Sequence, residues 1–191
     1  MSRLLFLKKF LTPGLRIASV TPSSRALSEA VVGRIYWNRA KVIVELGAGT
    51  GPITEAILSH APLSCRVIAL ERDPDFVEVL RKKFGNVSNL EIVQGSTHDL
   101  SAILSERGIA TVDYIVSGLP VPSFPQAEQE MLFKDIGKVL SPLGGYSQIT
   151  EVPYLYWSFY RRYFKKVEFK LVAWNIPPGG AYFCTGCKRM N

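Results

Sequence analysis

Glu45, Gly47, Gly49, Gly51 and Glu71 are the residues of this chain whose types and spacing point most directly to chemistry. In Val42–Leu58, VIVELGAGTGPITEAIL, a carboxylate stands two places before three glycines at alternate positions, and Pro52 follows at once. A glycine turn at the end of a strand lets backbone N–H groups approach a ligand that side chains would obstruct. Proline suits the first turn of a helix, where its missing N–H costs nothing. The spacing does not meet the dinucleotide pattern GxGxxG, and no Gly-Lys-Ser/Thr follows to hold a nucleoside triphosphate. An acid this close to the turn is a poor neighbour for phosphate and a good one for a cation. Glu71 ends a second strand-like run, IALERD, at a place where a carboxylate can accept both hydroxyls of a ribose.

Two acids beside a glycine turn, without a phosphate cradle, fit S-adenosylmethionine. Its sulfonium and amino group are positive, its ribose is a diol donor, and its adenine needs an apolar slot with one or two polar contacts. S-adenosylhomocysteine would be the product.

The elements that must position these groups are legible as strands alternating with helices. Runs rich in valine, isoleucine and aromatics occur at Val42–Leu46, Arg66–Glu71, Leu90–Gln94 and Val112–Ser117, then near Gly145–Thr150, Val167–Ala173 and Ala181–Thr185. Helices are expected at Gly51–His60, Pro74–Phe84, His98–Arg107 and Gln126–Leu140. This alternation predicts an α/β, Rossmann-like fold: a seven-stranded, mostly parallel sheet with an antiparallel final strand and helices on both faces. WNIPPGG is too short for a crossover helix, so the last two strands should form a hairpin-like ending.

Residues 1–40 read as an N-terminal helical extension serving as a membrane or substrate lid, and 41–191 as the catalytic domain. Ser23 is an N-cap type residue after Pro22 and opens a helix expected to end near Trp37–Asn38. Ser2–Leu11 is expected to form a short amphipathic helix: at about 100° per residue Leu4, Phe6, Leu7, Phe10 and Leu11 fall on one arc, with Lys8 and Lys9 outside it.

Net charge is +7 with a pI near 9.4, which draws the protein towards phosphates on nucleic acid or on an anionic bilayer. No apolar run reaches the roughly 18–20 residues that span a membrane. Lysines interrupt the apolar start, so a secretory signal is not expected and the cytoplasm is the default compartment. Cys65, Cys184 and Cys187 are too few for a disulfide framework. Cys184-Thr-Gly-Cys187 has half of a zinc spacing without a second pair, so no metal is expected.

With VELGAGTG and ALERDPDF in place, the chain resembles a class I S-adenosylmethionine-dependent methyltransferase. More narrowly it resembles the bacterial phospholipid N-methyltransferases related to the ribosomal RNA adenine dimethylases. That likeness rests on VTPSSRALSEAVV, VSGLPVPSFP, GGYSQIT and NIPPGGAY, which follow in order over nearly the whole chain. The resemblance implies that Gly47, Ala48, Gly49 and Gly51 lie against the cofactor, with Glu45 near its amino-acid end and Glu71 and Arg72 at the ribose. Gly95, Ser96 and Thr97 stand where the family reads Gly-Asp-Ala, so adenine would be held by a neutral hydroxyl in place of a carboxylate, with Asp99 a weaker alternative. Ser117, Gly118 and Leu119 would complete the cofactor side.

Ser117-Gly-Leu-Pro120 falls where adenine methylases carry Asn/Asp-Pro-Pro-Tyr or Asn-Leu-Pro-Phe, and Val121 stands in place of the aromatic ring. A flipped base would lose a stacking partner worth about 1–3 kcal/mol. The likeness also stops short of the dimethylases' C-terminal helical RNA-binding domain, which counts against nucleic acid as the expected partner. The expected activity is methylation of phosphatidylethanolamine and its mono- and dimethyl forms towards phosphatidylcholine. The enzyme would sit peripherally on the inner face of the membrane, held by the N-terminal helix, by Arg3, Lys8 and Lys9, and by the aromatic-basic run VPYLYWSFYRRYFKKVEF. The alternatives are an adenine N6-methyltransferase and a non-catalytic lipid-binding relative. An ammonium acceptor must lose a proton before attack. Tyr182, Glu151 and Ser117 are the catalytic candidates by family position, and His98 is a further candidate base.

Overall fold

The computed structural model describes residues 25–152, 154–173 and 178–188. The Ser2–Leu11 helix and the Ser23 cap lie outside the described residues. The strands are β1 Val42–Leu46, β2 Arg66–Glu71, β3 Leu90–Gln94, β4 Val112–Ser117, β5 Leu140–Thr150, β6 Phe164–Val172 and β7 Gly179–Cys187. The helices are α1 Arg25–Val32, α2 Pro52–His60, α3 Pro74–Phe84, α4 Leu100–Ser105, α5 Gln126–Val139 and α6 Trp157–Tyr163. Short 3-10 turns occupy Thr97–Asp99 and Val121–Ser123.

One seven-stranded sheet runs in the order β3-β2-β1-β4-β5-β7-β6. Strands β1 to β5 pair in parallel, and β7 is antiparallel to both β5 and β6. The final strand is therefore antiparallel, as expected, yet it does not sit at the rim. It is inserted between β5 and β6, which leaves β6 as the edge. Burial explains the choice: residues 179–184 of β7 are all buried, whereas β6 exposes Lys165, Lys166 and Lys170, charges that guard an edge against pairing with another chain.

Several boundaries differ from the sequence expectation for local reasons. Helix α1 stops at Val32, short of Trp37, because Gly33 follows and its N–H turns back to the Ala30 carbonyl at 3.1 Å. The His98–Arg107 segment begins as a 3-10 turn, since the Ser96 hydroxyl accepts the His98 N–H at 3.2 Å and tightens the entry. Strand β5 starts early but slips in register between Val112 opposite Leu140 and Tyr114 opposite Gly145, so its regular pairing begins where expected.

Alternation along the strands sends side chains to two cores. On one face Ile43, Val67, Val116 and Ala181 pack with Val31, Val32, Ile53 and Ile57 of α1 and α2. On the other, Val44, Leu46, Ile68, Leu70 and Ile115 pack with Leu100, Leu132, Phe133, Ile136 and Tyr160. Leu27, Val31 and Val32 of α1 are each at most 1% exposed, and burial of such side chains contributes roughly 1.5–3 kcal/mol apiece. Leu27, Ser28, Ala30, Val31 and Val32 thus pack into the body of the domain although they precede position 41. The aromatic run divides: Tyr160, Tyr163 and Phe164 are core residues, with Phe133 stacked on Tyr163 at 3.9 Å, whereas Tyr154 and Leu155 are exposed. Cys184 and Cys187 share β7, and burial pushes both thiols above their ordinary pKa.

Candidate active site

Strand order reverses between β1 and β4, and in open α/β sheets ligands bind outside the carboxyl ends of the strands at such a point. The loops there are tied together by backbone bonds. Gly47 N–H donates to the Leu70 carbonyl at 2.9 Å, Gly118 N–H to Leu46 at 2.9 Å, and Gly95 N–H to Glu71 at 3.0 Å. The ends of β1, β2, β3 and β4 therefore form one rigid rim.

Two glycines of the turn have different jobs. A side chain at Gly47 would run into the Leu119 side chain, so this glycine permits close approach of the β4 loop. At Gly49, φ is 55° and an added Cβ would meet nothing within 4 Å, so its face opens on free space at the strand ends. Ala48 is buried beneath the turn, and Gly51 leads directly into α2 with Pro52 at its first position.

Glu45 is completely buried, on the face of β1 that meets α2. Its Oε2 accepts the Thr54 hydroxyl at 2.6 Å, while Oε1 has no hydrogen-bond partner among the described residues. Burial pushes its pKa up to about 7; the Thr54 bond opposes that rise and the nearby Glu71 charge adds to it. A buried carboxylate oxygen without a donor is costly, and a cationic amine supplies what is missing. Glu71 is half-buried at the end of β2. Its Oε2 accepts the Gly49 N–H and its Oε1 the Asp73 N–H, both at 2.8 Å. Each oxygen keeps a second lone pair for a hydroxyl donor. Arg72 beside it is exposed.

At the adenine side, Gly95 is packed against Ile103 and Leu70, Thr97 is half-buried, and the Ser96 hydroxyl is committed to the His98 N–H as acceptor but retains its own proton to donate. Asp99 is exposed, and His98 lies 3.7 Å from Glu128 at the start of α5.

The catalytic candidates sit on three neighbouring strands: Ser117 on β4 is opposite Gln148 on β5, Gln148 is opposite Tyr182 on β7, and Glu151 follows Gln148 by three residues. Ser117 is fully buried at the end of β4, where its hydroxyl accepts the Leu119 N–H at 3.3 Å. Tyr182 is fully buried within β7, with Tyr160 and Phe169 against its ring. Its hydroxyl accepts the Tyr156 N–H at 3.0 Å, and burial raises its pKa above the usual phenol value. A phenol so held stays protonated at neutral pH and braces the Tyr156 loop, an arrangement unlike that of a proton acceptor. Glu151 is half-buried just past the end of β5, on the same edge of the sheet as Glu71.

Two residues near the rim escaped the sequence reading. Thr54 resembles any helical threonine, since its partner Glu45 lies across the glycine turn. Gln148, inside GGYSQIT, is 1% exposed and donates to the Leu119 carbonyl at 2.6 Å. Its motif was visible; its partner was not.

A rim at the switch point with an open glycine face, a donor-seeking buried carboxylate and a second carboxylate for a diol suits a cationic nucleoside ligand. The model of a methyltransferase domain matches residues 43–144. Ornithine lipid N-methyltransferase from Singulisphaera acidiphila is 53% identical over 185 residues, which cover 97% of this chain and 96% of that protein. Ribosomal RNA small subunit methyltransferase A from Mycoplasma capricolum is 31% identical, over 58% of this chain and only 39% of its own length. Among solved structures, the O-methyltransferase TomG from Streptomyces achromogenes, in complex with S-adenosylmethionine, covers 98% of this chain and 90% of its own with a TM-score of 0.67 at 14% identity, a likeness of fold. The chain belongs to the class I S-adenosylmethionine-dependent methyltransferases. Its cofactor is S-adenosylmethionine.

Proposed function

We propose that this enzyme N-methylates the amine of a membrane lipid head group. The single observation that carries the reading is the 53% identity, over nearly the full length of both chains, to a protein named for N-methylation of ornithine lipid. Phosphatidylethanolamine and its partly methylated forms, the acceptors expected from the sequence, present an amine of the same chemistry on a different head group.

Bound at the rim, S-adenosylmethionine supplies an electrophilic methyl group on a sulfonium. The chain's own residues do the rest. Glu45 receives the cofactor's ammonium at its unpaired oxygen, Glu71 accepts from the ribose, and Gly49 leaves room for both. Ser96 or Thr97 donates to or accepts from the adenine, and the Ser117–Pro120 loop walls the acceptor side. Holding an amine in line with the methyl in a dry cleft can supply much of the barrier reduction. The amine nitrogen forms the new bond to carbon, the carbon–sulfur bond breaks with its electron pair going to sulfur, and one proton leaves the amine. Glu151, on the carboxyl edge, is the residue to which we assign that proton.

Among the described residues no helix is long and apolar enough to cross a membrane. A net charge of +7 and the basic, apolar N-terminal segment support peripheral attachment to an anionic surface, on the cytoplasmic side, at roughly 1 kcal/mol per basic residue. Adenine methylation of RNA is disfavoured because Val121, at the position of the stacking ring, is 0% exposed and offers a base no platform.

The test is incubation of the full chain with methyl-labelled S-adenosylmethionine and anionic vesicles containing ornithine lipid, phosphatidylethanolamine or neither, with RNA as a separate arm. Label in an amine lipid supports the proposal; label in RNA alone overturns it.

A further inference from the structure

Between the end of β4 and the regular part of β5 lies a set of buried hydrogen bonds that meet at Leu119. The Leu119 N–H donates to the Ser117 hydroxyl at 3.3 Å. The Tyr146 hydroxyl donates to Gln148 Oε1 at 2.6 Å, and Gln148 Nε2 donates to the Leu119 carbonyl at 2.6 Å, with a second bond to Ile149 O at 3.0 Å. Leu119 is thus bonded at its N–H by Ser117 and at its carbonyl by Gln148, whose amide Tyr146 orients. Only one orientation of the Gln148 amide satisfies these bonds, since two carbonyls need its N–H groups and the phenol needs its oxygen.

Ser117, Tyr146 and Gln148 are each at most 1% exposed, so any of these groups left unpaired would be costly. The register explains why both strands reach Leu119: Gln148 lies directly opposite Ser117 on β4. The Leu119 carbonyl also accepts the Val121 N–H at 2.9 Å, so Leu119 is held at N–H and carbonyl alike. Its side chain in turn fills the space beside Gly47. Fixing Leu119 therefore fixes the gap between the glycine turn and the β4 loop.

We propose that Gln148, oriented by Tyr146, is a positioning residue that locks the Leu119 peptide as the acceptor-side wall of the methyl-transfer cleft. That the wall faces an amine acceptor rests on the function proposed above; the hydrogen bonds themselves do not. Gln148 touches neither cofactor nor amine in this account. Its effect is on alignment, to which displacement reactions are sensitive at the scale of an ångström.

The experiment uses the full chain carrying Gln148→Met, which keeps size but loses the bonds, Tyr146→Phe, which removes one hydroxyl and keeps the ring, and the pair together. Amide exchange is followed with and without S-adenosylhomocysteine. Leu119 and Val121 are expected to exchange about tenfold faster or more in both single variants, with Gly47–Gly51 unchanged. In methyl transfer to amine-lipid vesicles, kcat should fall about tenfold or more while the KM for S-adenosylmethionine moves less than about threefold. The double variant should lose no more than Gln148→Met alone, because Tyr146 acts on Leu119 only through Gln148. Unchanged exchange at Leu119 and Val121, losses that multiply in the double variant, or a fall in cofactor affinity matching the fall in kcat would each overturn the proposal. If the unaltered chain methylates no amine lipid, the proposed function falls, and the exchange arm still decides whether Gln148 locks the loop.

Discussion

The Thr54 hydroxyl donates to Glu45 Oε2 at 2.6 Å inside a fully buried pair that joins β1 to α2 across the glycine turn. Thr54 thereby turns the carboxylate so that one oxygen is satisfied within the fold and the other is left for a ligand. Thr54→Val keeps the shape and removes the donor. Leaving a buried acceptor unmatched costs about 1–3 kcal/mol, so the variant should melt several degrees lower. Calorimetric affinity for S-adenosylhomocysteine should weaken severalfold as well. An unchanged melting temperature with unchanged affinity would remove Thr54 from the site.

Glu45 gives cofactor binding a pH dependence. Burial holds its pKa up near 7 in the free protein, so it is ionised above that pH and protonated below it. A bound ammonium favours the ionised form and lowers the pKa in the complex. Affinity should then be flat above pH 7 and fall on acidification below it, by up to about tenfold per pH unit, with a proton released on binding near neutrality. Titration calorimetry between pH 5.5 and 7.5 in two buffers of different ionisation enthalpy reads both quantities. Glu45→Gln should bind more weakly and lose this slope.

Glu71 supports the site twice over, by accepting the Gly49 N–H and by offering its remaining lone pairs to a diol. Glu71→Ala strips both the turn and the ribose of an acceptor. Charge-assisted hydrogen bonds are worth about 1.5–3 kcal/mol each, so cofactor affinity should fall on the order of 10- to 100-fold. Affinity within twofold of the parent would end the assignment.

Glu151→Gln probes the proton acceptor. Cofactor affinity should stay within about twofold and kcat should drop about 10²–10⁴-fold. A variant with parental kcat would free Glu151 of that role.

The first four strands were legible because each is a short β-branched run closed by glycine, proline or a charged pair, and local pattern alone bounds such a run. The glycine turn and both carboxylates were legible for the same reason: they are close in sequence to strand ends. What the sequence hid was pairing between distant segments. Nothing local tells β7 to enter between β5 and β6, and nothing local marks Gln148 as the partner of Leu119 or Thr54 as the partner of Glu45. Tyr182 shows the converse. Family position made it a catalytic candidate, whereas its place on an interior strand, with its hydroxyl on the Tyr156 backbone, makes it a brace.

Gly49→Ala tests the cofactor site most directly, because the added methyl would enter open space above the turn and touch no protein atom within 4 Å. Left-handed backbone at alanine costs about 1–2 kcal/mol, which a domain of this size tolerates. S-adenosylhomocysteine should bind the parent one to one and the folded variant at least about tenfold more weakly. Equal affinity in a variant that melts within a few degrees of the parent would mean that the ligand lies elsewhere.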